Sequence, residues 1–163
     1  MRRNMLTTRI FATLAVTAVL VLPPALAAEQ LERLIVHKSP TCGCCGKWID
    51  HLEANGFAVT PVDVADLGEV KREHDIRPAY RSCHTAVDEQ SGYIFEGHIP
   101  ARIVARFLSD PPENARGLTV PAMPVGSPGM EVGDKFMPYD VLVLEEDGGT
   151  RIYAQVNRQE DQY

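Results

Sequence analysis

Three cysteines fall within four residues, Cys42-Gly43-Cys44-Cys45, between two patterns that favour different secondary structures. Upstream, Leu34-Ile35-Val36 is a short apolar run of the kind found in a buried strand, and Ser39-Pro40-Thr41 follows as a turn. Downstream, Cys45, Trp48, Ile49 and Leu52 recur at i, i+3, i+4 and i+7, one face of a helix. Thr41 is the expected N-cap and Asn55-Gly56 the expected stop. The cysteines therefore sit at a helix N-terminus, where unpaired N–H groups and the helix dipole favour a thiolate. A thiolate is also the form that binds soft metals.

The next elements follow from pattern. Residues 57–64 (FAVTPVDV) read as a strand, with Pro61 pointing to an edge or an interruption. Asp66 and Glu69 are spaced as a capping box before a short helix whose apolar side is Leu67 and Val70. Residues 83–87 and 93–95 form a hairpin around 88–92, and Pro100 opens a helix that buries Ile103, Val104, Phe107 and Leu108. Residues 111–138 carry six prolines and four glycines and read as one long irregular loop, a kind of segment that is often functional. Residues 141–144 and 151–156 close the chain as a hairpin around Asp147-Gly148-Gly149, and the tail beyond Asn157 is expected to fray. The predicted fold is α/β and thioredoxin-like, β-α-β-α-β-β-α, with a Pro/Gly-rich loop and a C-terminal β-hairpin.

The first 27 residues have another pattern. Arg2, Arg3 and Arg9 precede an apolar stretch, 10–22, that is short for a membrane span; Pro23-Pro24 ends it and Ala25-Leu26-Ala27 offers a small-x-small cleavage site. The expectation is a signal peptide at 1–27, cleaved near Ala27, then a single domain at 28–163 in a bacterial periplasm. Cleavage removes three arginines and no acid, which carries the formal charge from −6 to −9. So acidic a chain is a poor nucleic-acid binder, and no membrane association is expected after cleavage.

In an oxidising compartment, cysteines are paired, metal-bound or catalytic. Two ordinary disulfides are disfavoured, because three cysteines within four residues constrain little of the unfolded chain. Thiol–disulfide exchange through Cys42 and Cys45 stays open as the alternative, but leaves Cys44 and Cys83 without a task. A soft-metal thiolate site uses all four. Zinc would favour paired C-x-x-C knuckles, which the chain lacks; Cu(I) accepts adjacent, bridging sulfurs. Cys83 begins the first hairpin strand, which a thioredoxin-like arrangement brings to the helix N-terminus.

TCGCCGKW, SCHTA and VPAMPVGSPGME, in that order, resemble the copper-resistance proteins of the CopG family, the exported domain-of-unknown-function family 411. The resemblance spans essentially the whole chain after the leader. It implies a thioredoxin-like domain with a polynuclear, cysteine-bridged copper cluster, Cu(I) or Cu(II), in periplasmic copper handling. It also implies an oxidoreductase role that interconverts the two ions; a passive copper chaperone is the remaining alternative. By position, Cys42, Cys44 and Cys45 match its C-x-C-C motif and Cys83 its distal cysteine. Expected partners are copper ions and other periplasmic copper-resistance proteins.

Several residues are judged singly. Met123 and Met130, in the Pro/Gly-rich loop, are candidate thioether ligands, with Met137 just beyond. His37 ends the first strand and is a candidate for a supporting role around the metal. His84 is expected on the strand face opposite Cys83, bonded to backbone or facing solvent. His51, His74 and His98 read as surface or helix residues, and Trp48 as core. Pro78 lies too far from Cys83 to sit at the strand start.

Overall fold

The structure, a computed structural model, describes residues 32–163. The leader expectation therefore lies outside the described residues, and among these no helix is long and apolar enough to cross a membrane. The elements in order are β1 (Arg33–Lys38), α1 (Gly43–Ala54), β2 (Ala58–Asp63), α2 (Leu67–Glu73), β3 (His84–Asp88), β4 (Ile94–Glu96), α3 (Ala101–Ser109), β5 (Ala115–Thr119), β6 (Tyr139–Glu145) and β7 (Thr150–Val156). Short 3-10 turns occupy Pro78–Tyr80 and Gln159–Gln162.

One seven-stranded sheet runs β2-β1-β3-β4-β5-β6-β7. β1 pairs parallel to β2 and antiparallel to β3, which pairs antiparallel to β4. This is the thioredoxin-like β-α-β-α-β-β-α core that the patterns predict. β2 is an edge strand, so Pro61 interrupts no second ladder. α1 buries Cys45, Trp48, Ile49 and Leu52, the face its spacing predicts, while its N-cap is Cys42 rather than Thr41. Asp66 caps α2 by accepting the Gly68 N–H.

Two expectations are corrected. Residues 111–138 are not one loop: Ala115–Thr119 form β5, parallel to β4 and antiparallel to β6. The strand lacks an alternating apolar pattern and carries Gly117, whose backbone lies so close to Ile94 that a Cβ would overlap the Ile94 carbonyl. The tail does not fray either. Its 3-10 turn buries Gln162, which accepts from Tyr139 Oη at 2.7 Å and donates to the Gly126 carbonyl at 2.9 Å.

Because strand side chains alternate, the sheet has two unlike faces. Leu34, Val36, Ala86 and Phe95 pack with Trp48 and Leu52 of α1 and Phe107 of α3. The other apolar cluster, containing Ile94, is only Ile76, Ile94 and Leu144 beside Tyr80. α2 buries no apolar residue; the residue it buries is Lys71.

Candidate metal centre

The sulfurs meet where α1 begins. Cys42 ends the β1–α1 turn, its N–H donating to the Ser39 carbonyl at 3.1 Å. Among the described residues no side chain caps the helix, and its first turn holds no acid, so its free N–H groups remain at the cysteines. β3 runs beside β1 with Lys38 opposite His84, which delivers Cys83 to the same end of the sheet. Cys42 and Cys45 are joined in a disulfide with Cα atoms 5.4 Å apart. From Cys45 Sγ to Cys83 Sγ is 3.5 Å, from Cys83 to Cys44 3.9 Å, and from Cys44 back to Cys42 3.5 Å. The four sulfurs thus form a closed ring, all within 4.8 Å of one another.

Two histidines complete the surroundings. His98 Nε2 lies 3.0 Å from Cys83 Sγ, and its Nδ1 lies 2.8 Å from the Pro128 carbonyl oxygen. A carbonyl only accepts, so Nδ1 carries the hydrogen and the Nε2 lone pair faces the sulfur. His84 Nδ1 is 3.3 Å from the same sulfur, and its ring packs 4.2 Å from the Trp48 ring. The buried His84 Nε2 has no hydrogen-bond partner among the described residues. Burial pushes both imidazoles toward the neutral form; for His84, His98 and Lys71 push the same way. Burial, then the neighbouring Cys44, pushes the Cys83 thiol up to about 12. Neutral imidazoles and sulfurs form a soft donor set for a soft cation. Ring edges of 3.5–3.9 Å match thiolates sharing an ion at about 2.3 Å each. The residues present therefore fit a soft metal once the disulfide is reduced.

Both His84 and His98 correct the sequence reading. Cys83 precedes β3 in a bend, so strand alternation does not separate it from His84, and both sheet faces are covered. His98 follows β4 and is buried rather than on the surface; the signal lies in the Glu96-Gly97-His98 turn beside Ser82, which no periodicity reveals. His37 shares a β1 face with neither Leu34 nor Val36; burial, then His74, pushes its imidazole toward the neutral form, and its buried Nδ1 has no hydrogen-bond partner among the described residues. His51 accepts the Ala101 N–H at 3.0 Å and holds the start of α3. His74 ends α2.

The Pro/Gly-rich loop is stitched to both limbs of the ring. Ala122 accepts the Ser82 hydroxyl and donates its N–H to the Arg81 carbonyl at 3.1 Å, beside Cys83. Gly129 lies against α1 at φ +86°, where a Cβ would fall 2.7 Å from the Cys44 carbonyl and 2.8 Å from the Trp48 nitrogen. Met123 and Met130 each follow one of these two anchors. Met123 is exposed and Met130 half-buried, while Met137 is exposed farther along the chain.

Comparison with known proteins supplies the family. No curated protein matches. A family model described as "Protein of unknown function, DUF411" matches residues 80–130, the span from the Cys83 limb to Met130. Two solved structures are similar throughout. One, "Copper resistance protein copG- Form 1", is 40% identical, covering 78% of this chain and 98% of that one at a TM-score of 0.72. The other, "Copper resistance protein copG- Form 2", is also 40% identical, covering 78% and 99% at a TM-score of 0.73. With four sulfurs in a closed ring at the helix N-terminus and this identity across nearly the whole of both solved chains, the protein belongs to the CopG family of copper-resistance proteins.

Proposed function

We propose that this chain binds Cu(I) in a cysteine-bridged, polynuclear cluster and cycles it between Cu(I) and Cu(II) as part of periplasmic copper resistance. Residues 28–163 act as one thioredoxin-like copper-binding domain after a leader is removed near Ala27. Cys42, Cys44, Cys45 and Cys83 bridge the ions, with His98, Met130 and Met123 as further donors. The observation that carries this reading is the closed ring of sulfurs, because Cys83 joins it from 38 residues beyond Cys45. Exchange through Cys42 and Cys45 alone has no use for Cys44, Cys83 or the His98 lone pair. Copper is cargo and electron carrier here. Reduction of the Cys42–Cys45 disulfide by two electrons and two protons frees the two thiols. Each Cu(I)/Cu(II) turnover then passes one electron to or from an external carrier. Neutral His98, oriented by Pro128, offers its Nε2 lone pair.

The disulfide supports a second reading, a metal-free thiol–disulfide oxidoreductase in which Cys42 and Cys45 exchange with a substrate. Metal analysis and thiol counting on the reduced, copper-exposed chain decide between them. More than one copper per chain, lost for the most part in each single Cys→Ser variant, is expected. Bound copper should also survive a cycle of mild oxidant and reductant. A chain that holds no copper, or only zinc, and reduces insulin rapidly in the apo form would establish the exchange enzyme instead. Full copper stoichiometry in Cys83→Ser would remove the distal cysteine from the site.

A further inference from the structure

Beneath the Cys83 limb, on the sheet face covered by α2, lies an ion pair that no apolar pattern accounts for. Lys71 and Glu96 are both buried, at 4% and 0% exposure. Glu96 Oε1 accepts from Lys71 Nζ and from the Ser82 N–H, the latter at 2.6 Å. Its Oε2 accepts from the Thr85 hydroxyl at 2.7 Å. Lys71 Nζ also donates to Thr85 Oγ1 at 3.0 Å and to the His84 carbonyl at 3.4 Å. Ser82 and Thr85 flank Cys83-His84, so one carboxylate holds the dipeptide from both sides. Next to it, the Gly97 N–H donates to the His84 carbonyl at 3.2 Å, and His98 then reaches over to Cys83.

Such a pair is a costly way to fill a core. Desolvating two charges offsets most of their attraction, and an apolar pair of similar volume is often as stable. What the pair adds is a fixed geometry, since each of its hydrogen bonds has a defined direction. Its partners here are the residues on either side of the one cysteine that comes from outside the local C-x-C-C segment.

We propose that Lys71 and Glu96 are positioning residues that clamp the Cys83 limb from the opposite face of the sheet and hold its sulfur in the ring. The clamp acts through Ser82 and Thr85 and touches no metal. It serves the copper site proposed above and rests on that reading for its purpose, although its effect on Cys83 is measurable without copper.

The experiment uses the full chain with the Cys42–Cys45 disulfide intact, which leaves Cys44 and Cys83 as free thiols. N-ethylmaleimide labelling, read residue by residue by peptide mass, gives each thiol's rate. In Glu96→Gln, Cys83 should react roughly tenfold or more faster, as its limb opens locally, while Cys44 changes little. In the reduced chain, the variant should lose copper, to no greater extent than Cys83→Ser does. Two more variants keep the test decisive if Glu96→Gln does not fold. Lys71→Met/Glu96→Leu removes both charges at similar volume, and Thr85→Val removes a single donor. A cooperatively folded variant with an unchanged Cys83 rate overturns the clamp, as does full copper stoichiometry in Glu96→Gln when the parent chain binds copper. A parent chain that takes up no copper sinks the copper reading but leaves the labelling arm to decide the clamp.

Discussion

On one face of the sheet, Phe107 meets Tyr93, Phe95 and Tyr153 edge-on at 5.1–5.8 Å, with Trp48 and Leu52 buried in the same cluster. On the other, three aliphatic side chains and a tyrosine form the apolar contact, beside a buried lysine and glutamate. The first face carries stability, since burial of large apolar side chains is the dominant favourable term in folding. The second carries geometry, since directional bonds to Ser82, His84 and Thr85 fix where β3 begins. The sulfur ring lies where the two meet: Cys45 belongs to the helix on the apolar face, and Cys83 to the limb held from the polar one.

The largest effect expected is on the apolar face. Phe107→Ala should cost about 3–5 kcal/mol, because it opens a cavity among three aromatic rings. Guanidinium unfolding of the metal-free chain measures it, and a loss near 1 kcal/mol would dissolve the distinction between the faces. Gly129→Ala comes next, at about 2–3 kcal/mol, since it places a Cβ at positive φ against the Cys44 carbonyl and the Trp48 nitrogen. It should also lift the loop from the ring, seen as faster labelling of Cys44; unchanged labelling would show that the loop does not cover that sulfur. Ile76→Ala, on the polar face, should cost about 2 kcal/mol, the low end for such truncations, because few apolar neighbours surround it. It should leave copper stoichiometry intact. A cost equal to that of Phe107→Ala would make the two faces energetically alike. Smallest in stability are Met123→Leu and Met130→Leu, each expected below about 1.5 kcal/mol since volume is kept. Both should alter copper affinity or the oxidation of bound Cu(I). Unchanged copper behaviour in both would make these methionines loop packing alone.

The same division decides what could be read from the sequence. The apolar face repeats at helical and strand periods, so Cys45, Trp48, Ile49 and Leu52, and then Ile103, Val104 and Phe107, are legible as buried positions before any coordinates. The cysteines are legible as a group because their spacing is unusual. The polar face has no period. Lys71 sits in a short helix whose pattern points to Leu67 and Val70, and only the folded sheet brings it to Glu96. β5 stayed hidden for a related reason: Gly117 is required by the close approach of Ile94, and a glycine beside an arginine carries no strand signal. His98 was hidden because its role depends on a turn and on the Pro128 carbonyl, 30 residues away in sequence.

Trp48 is the only tryptophan in the chain. Its indole N–H donates to the Ile99 carbonyl at 2.8 Å, which fixes the ring, and the ring packs at a tilt against His84, one residue from Cys83. Light absorbed at the red edge of the aromatic band therefore excites a single, immobilised chromophore beside the sulfur ring. Its emission is a label-free optical readout of the site, in which quenching on metal uptake and recovery on chelation trace occupancy in real time and in the unmodified protein.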